Sequence, residues 1–301
     1  MGKRSLSNKI KNEYIGKAYA TICGLLIIGL TLAIIFFITS KGLSTFIKNG
    51  HSFITFITSS TWKPDREAVN GGPVFGALIF IVGSTLVSLG AVLISTPLAI
   101  ALAIFMNLIS TKLGTKVLQP AMELFVGIPS VVYGWVGISV LVPFIKHVFG
   151  GYGISLFAGI LVLSVMILPT ITSISSDAIK TIPKDYIEAS YSLGATRWQT
   201  IYKVIVPAAK TGISTGVVLG LARAFGEALA VQMVIGNSIS FPKGLLGTTS
   251  TLTSILTMDM GNTVTGTAWN NALWSMAFLL LLISFIFILI IRMMSKRSEL
   301  R

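Results

Sequence analysis

The chain of 301 residues contains one cysteine and two histidines, and only 11% of it is charged. A lone Cys23 excludes a disulfide framework, and His51 and His147 stand far apart without partner ligands, so no metal site can be assembled. The same inventory offers no pairing of a nucleophile with a base, which makes an enzyme the least supported class. No Gly-x4-Gly-Lys-Ser/Thr occurs, so the chain has no P-loop with which to hold ATP. Low-complexity tracts and clear internal repeats are absent too.

What is present is hydrocarbon. Hydrophobic residues make up 53% of the chain, and the charged share is well below the roughly 25% of ordinary soluble domains. The formal charge of +13, from 23 Lys+Arg against 10 Asp+Glu, would suggest nucleic acid if it formed one basic face. Instead the cations fall in short loops between apolar runs, as the positive-inside rule requires of a membrane protein.

Six runs are long enough to span, a bilayer needing about 20 residues. The first, 18–38, follows a basic N-terminus (1–17) and lacks a convincing small-x-small cleavage site, so it reads as a retained anchor rather than a signal peptide. An external loop, 39–73, precedes a second run, 74–109, in which Pro97 is expected to bend or end the span. The third, 117–145, carries several prolines and glycines, which bundles tolerate when neighbours satisfy the freed backbone groups. Runs at 154–173, 212–235 and 272–291 complete the set, with a polar Gly/Ser/Thr-rich external loop at 236–271 and a tail at 295–301. Sixteen Lys/Arg fall on the side of the two termini and six on the other, with Arg223 inside a span. Both termini are therefore expected in the cytoplasm of a multi-pass cell-membrane protein.

Between the fourth and fifth runs lies a patterned polar stretch, Glu-Ala-Ser-Tyr-Ser-Leu-Gly-Ala-Thr-Arg-Trp-Gln-Thr-Ile-Tyr-Lys-Val-Ile-Val-Pro (188–207). Its spacing predicts two short helices, 185–193 and 196–206, joined at Gly194, because glycine takes a left-handed cap at no Cβ cost. Taken alone, the stretch fits an amphipathic segment lying on anionic lipid as well as it fits a docking element. Asp177 and Asp185 read as helix caps, and Glu123 as an acid near the cytoplasmic end of its span.

Glu188-Ala189-Ser190, Gly194 and Val206-Pro207 resemble the EAA loop of ABC importer permeases, departing from it mildly at Ser190, Val204 and Val206. The resemblance implies an all-α permease of six transmembrane helices, 74–294 forming the permease domain. Its cytoplasmic coupling helix lies in a loop at about 177–210, with Glu188, Ala189, Gly194 and Pro207 as the coupling residues. It also implies that ATP is used by a separate ATPase subunit, which suits the missing P-loop; this chain binds no cofactor.

In the fifth run Arg223 and Glu227 are four apart, one helical turn, and are expected to face each other away from lipid, each costing about 2.5–3.5 kcal/mol at mid-bilayer. A guanidinium fork matches the oxygens of phosphate. The run Arg223-Ala-Phe-Gly226-Glu227-Ala-Leu-Ala is similar to the signature of phosphate-specific (Pst) permeases. So are Trp62-x-Pro64, Phe75-Gly76, Gly83-Ser84-Thr85-Leu86 and Gly127-Ile128-Pro129-Ser130, and Met233 to Asn237 favours the PstC-type over the PstA-type subunit. That resemblance implies phosphate import, a substrate pathway at Arg223 and Glu227, and three kinds of partner. These are a PstA-type sister permease, two PstB-type ATPases and a PstS-type extracytoplasmic binding protein. Alternatives are a permease for sulfate or molybdate, the PstA-type subunit, or a stand-alone ion-driven carrier, against which the missing inverted repeat speaks.

Overall fold

Helices in this chain run long where apolar residues are uninterrupted; proline breaks one run, at Pro129, while Pro97 and Pro169 lie inside continuous helices. The computed structural model describes residues 6–66 and 71–297; the ends of the expected cytoplasmic termini (1–5 and 298–301) and 67–70 of the expected external loop lie outside the described residues. Among the described residues there is no strand, only the isolated bridges Lys63–Val74 and Gly236–Thr249. Five helical stretches are long and apolar enough to cross a membrane: Tyr14–Ile47, Leu78–Ile109, Ser130–Phe149, Leu156–Lys180 and Ala268–Met293. A sixth exists if Arg197–Ala208 and Lys210–Gly226, bent by 66° at Ala209, count as one.

Three of these elements make the centre. Leu78–Ile104, Leu156–Lys180 and Lys210–Gly226 bury Val87, Ala91, Leu163, Ile167, Leu221 and Phe225 in one cluster. Small residues let them approach, as usual between membrane helices. Ser95 Oγ donates to the Ser164 carbonyl at 2.8 Å, and Ser164 Oγ to the Ala91 carbonyl at 3.4 Å. Pro97 does not end its helix, which continues to Ile104 and closes in a π-turn, Phe105–Ile109.

The first long helix, Leu6–Gly42, stands apart, and none of the most apolar part of its span is buried. It meets the last helix, Ala268–Arg297, at its far end. There Ser275 Oγ donates to the Gly42 carbonyl at 2.6 Å, and Phe37 packs edge-on against Trp274. Beyond it, Phe56, Trp62, Phe75 and Phe80 form an aromatic cap over Leu252, Leu273 and Met276.

Three expectations need correction. The third run is two helical pieces, Gln119–Gly127 and Ser130–Phe149, split at Ile128-Pro129, since proline lacks the N–H that would continue the ladder. The fifth is split too: Lys210–Gly226 stops and Leu229–Ile235 restarts. The stretch 236–271, expected as an external polar loop, is no plain loop, because it returns a helix, Leu252–Asp259, into the bundle with Leu252, Ser254 and Ile255 buried.

Gly83 lets that returning helix sit down, for a Cβ there would overlap the Ser250 carbonyl. Gly83→Val should therefore cost about 1–3 kcal/mol by overpacking. Gly24→Ala, whose added Cβ meets nothing within 4 Å inside the helix Leu6–Gly42, should not destabilise it, alanine being the better helix former. Thermal unfolding of the two variants in detergent checks this.

Candidate functional site

Glycine and alanine dominate the sequence around Arg223 and Glu227, so the backbone there is free to break and neighbours can close in. Arg223 lies in the last turn of Lys210–Gly226, half-buried, and its Nη1 donates to Thr170 Oγ1 at 2.9 Å. Thr170 comes from Leu156–Lys180, one residue after Pro169. Across the split third run the Tyr133 hydroxyl donates to the Phe125 carbonyl at 2.7 Å.

Glu227 is buried but does not pair with Arg223. The helix ends at Gly226, and Glu227 takes an extended conformation (φ −75°, ψ 123°), so the four-residue spacing no longer places the side chains together. Its carboxylate turns the other way and accepts the Ala230 N–H at 3.0 Å, capping the restarted helix. Its carbonyl accepts Thr253 Oγ1 at 2.9 Å, while Ser84 Oγ accepts the Leu252 N–H at 2.8 Å. Ser84, Ser88, Glu227, Thr251 and Thr253 thereby line, with Val87, Ala224, Phe225 and Val231, a small cavity of about 10 Å³. Carboxylate, broken span and returning helix form one clasp, which sequence spacing alone read as a salt bridge.

The second set of candidates sits at the other end of the bundle. Lys184–Ser192 is capped by Leu193, with Gly194 at φ +78°. The Gly194 N–H donates to the Tyr191 carbonyl at 2.9 Å and the Ala195 N–H to the Ser190 carbonyl at 3.2 Å, the paired bonds of a Schellman motif. Thr196 and Gln199 then form a capping box that starts Arg197–Thr200, continued through the π-turn Ile201–Ile205 to Val206–Ala208. Ser190 and Thr200 hydroxyls meet at 2.9 Å and fasten the two helices together. Glu188, Ala189 and Gly194 lie on this hairpin, and Pro207 opens its last turn before the 66° bend. Tyr186, Tyr191, Leu193, Trp198 and Tyr202 are exposed on it, an unusual density of large apolar side chains on a polar segment. Asp177 is no N-cap but lies near the end of its helix, paired with Lys180 at 3.4 Å. With Gln119, Glu123, Ser173 and Ser176 those two charges line a cavity of about 370 Å³.

Residues 95–299 match the family described as binding-protein-dependent transport system inner membrane component. The chain belongs to that permease family. Among curated relatives, it is 53% identical over 98% of its length, and 94% of the relative's, to a probable ABC transporter permease, YqgH, of Bacillus subtilis. It is 33% identical over 94% of its length, and 88% of the relative's, to the phosphate transport system permease PstC of Mesorhizobium japonicum. A bacterial alginate ABC transporter, solved with a pentasaccharide-bound periplasmic protein, shares the fold at TM-score 0.63 over 97% of both chains, with 17% identity. The permease is thus a multi-pass membrane subunit of the ABC type.

The clasp makes a local prediction for this permease. Glu227→Ala removes the acceptor for the Ala230 N–H, an N-cap loss of about 1 kcal/mol, so deuterium exchange over 228–235 should rise about fivefold. Glu227→Gln keeps an acceptor oxygen and should leave exchange unchanged.

Proposed function

We propose that this permease carries inorganic phosphate inward in an ATP-driven importer, as a PstC-type subunit. The observation that carries the reading is a half-buried Arg223 whose ion-pair partner, expected at Glu227, is turned away. A guanidinium has five N–H donors, and one is used on Thr170, which leaves the fork available to a planar pair of oxyanion oxygens. A cation inside an apolar span is expensive to keep unless it has such a task. The PstC relative at 33% identity supports phosphate among the oxyanions.

In this reading both termini and the 184–208 hairpin face the cytoplasm, and the ATPase subunits dock on the hairpin around Glu188 and Gly194. A PstA-type sister permease and an extracytoplasmic phosphate-binding protein complete the complex. ATP is bound and hydrolysed by the ATPases alone. Closure of the ATPases moves the hairpin, the spans exchange their open side, and Arg223 meets the anion in passage. Glu227 serves as the clasp beside the pathway, holding the break that ends the Arg223 helix.

Arg223→Gln in the reconstituted complex should reduce ATP-dependent uptake of labelled phosphate to background with all subunits still assembled. Uptake at the wild-type rate would remove Arg223 from the pathway. Gly194→Leu forces a branched side chain into a left-handed turn at a cost of about 1–2 kcal/mol. The ATPase should then co-purify poorly, although a Cβ at Gly194 meets no neighbour within 4 Å.

A further inference from the structure

Arg197 joins two parts of the chain that the sequence separates by about 90 residues. The last carbonyls of a helix have no partner within it, and the negative end of its dipole lies there. The helix beginning at Leu78 ends in the π-turn Phe105–Ile109 and leaves helical geometry at Ser110 (φ −134°, ψ 78°). Arg197 Nη2 donates to the Leu108 carbonyl and, at 3.5 Å, to the Ile109 carbonyl. Arg197 is itself the first residue of a helix made rigid by its capping box.

The neighbouring contacts are of a different kind. Ala103, Ile179, Ile201, Ile205, Ala209 and Ile213 pack the hairpin's inner face against the ends of the spans. Such apolar contact is strong but non-directional and permits sliding. Hydrogen bonds from a planar guanidinium fix direction. Past Arg197 the same span end is fastened onward, for Asn107 Nδ2 donates to Ser176 Oγ at 2.8 Å. Ser176 belongs to Leu156–Lys180, the helix that also carries Thr170, the partner of Arg223.

We propose that Arg197 is a positioning residue for transport: it locks the cytoplasmic hairpin to the end of the Leu78–Ile109 span. Movement of the hairpin, which continues through Ala209 into the Arg223 helix, then also reaches Leu156–Lys180, the helix of Thr170, by way of Asn107 and Ser176. This rests on the coupling role proposed above for the hairpin. A chain of contacts becomes a coupling path only when coupling is measured.

The test uses the full complex in proteoliposomes with its binding protein. With Arg197→Ala the ATPases should co-purify at the wild-type ratio and ATP hydrolysis persist, while phosphate uptake falls about tenfold, within the range for residues that modulate coupling. Arg197→Lys keeps the charge but loses the planar Nη2 that donates to both carbonyls, and should lose about threefold. Asn107→Ala should also lower uptake, and the double variant should be no worse than Arg197→Ala, since both interrupt one path. Wild-type uptake in Arg197→Ala, or strictly multiplicative losses in the double variant, would overturn the proposal. Should Arg197→Ala fail to assemble, Arg197→Lys decides: reduced uptake with full ATPase content supports the lock, and wild-type uptake refutes it. A failure of the underlying coupling role shows separately, as a Glu188→Lys complex that still binds its ATPases and transports normally.

Discussion

Inside hydrocarbon an unpaired backbone group costs several kcal/mol, so a span that breaks must be repaired by side chains. Glu227 is that repair in this permease. It caps the helix that restarts at Leu229 with its carboxylate and accepts Thr253 with its carbonyl, so one residue satisfies both the break and the helix returning from outside. Without it the restarted helix loses the acceptor for the Ala230 N–H, and Leu252–Asp259 loses one of the hydrogen bonds that seat it beside Ser84. The break also explains the position of Arg223. An unbroken helix would place Glu227 against it and consume the guanidinium in an ion pair.

The two ends of the bundle are built differently, in keeping with different tasks. At the Glu227 end, hydroxyls and a carboxylate hold short helical pieces together over a cavity of about 10 Å³. At the hairpin end, two helices joined by a Schellman turn and a Ser190–Thr200 contact present Tyr186, Tyr191 and Leu193 outward, while Ile201 and Ile205 grip the bundle. The hairpin is fastened within itself by a turn, a capping box and a hydroxyl pair, which suits the coupling role proposed for it. Leu156–Lys180 links both ends, since Thr170 meets Arg223 and Ser176 meets Asn107.

The helical membrane fold was legible because a span imprints its length on the sequence as a continuous apolar run. The Schellman turn at Gly194 and the helix start at Thr196 were legible as well, being local rules of backbone geometry. Breaks inside spans were not. Pro129 is one of several prolines in its run, and Gly226 is one of several glycines in its own; the Glu227 carbonyl beyond it is met by Thr253, 26 positions later. The helix Leu252–Asp259 was hidden for the reverse reason, because serine and threonine that suggest a solvated loop are used here as buried caps and clasps. Arg197 counted in sequence as one loop cation among several. Only the fold brings it to Leu108.

The account stands on an oxyanion crossing beside Arg223 under the drive of separate ATPases. The most direct measurement is ATP-dependent uptake of radiolabelled phosphate by the complete complex in proteoliposomes, with sulfate, molybdate or arsenate as competitor. The account predicts uptake that requires ATP, resists a large excess of sulfate or molybdate, and yields to arsenate, which shares the shape and protonation of phosphate. Equal inhibition by sulfate, or uptake that continues without ATP, would contradict it.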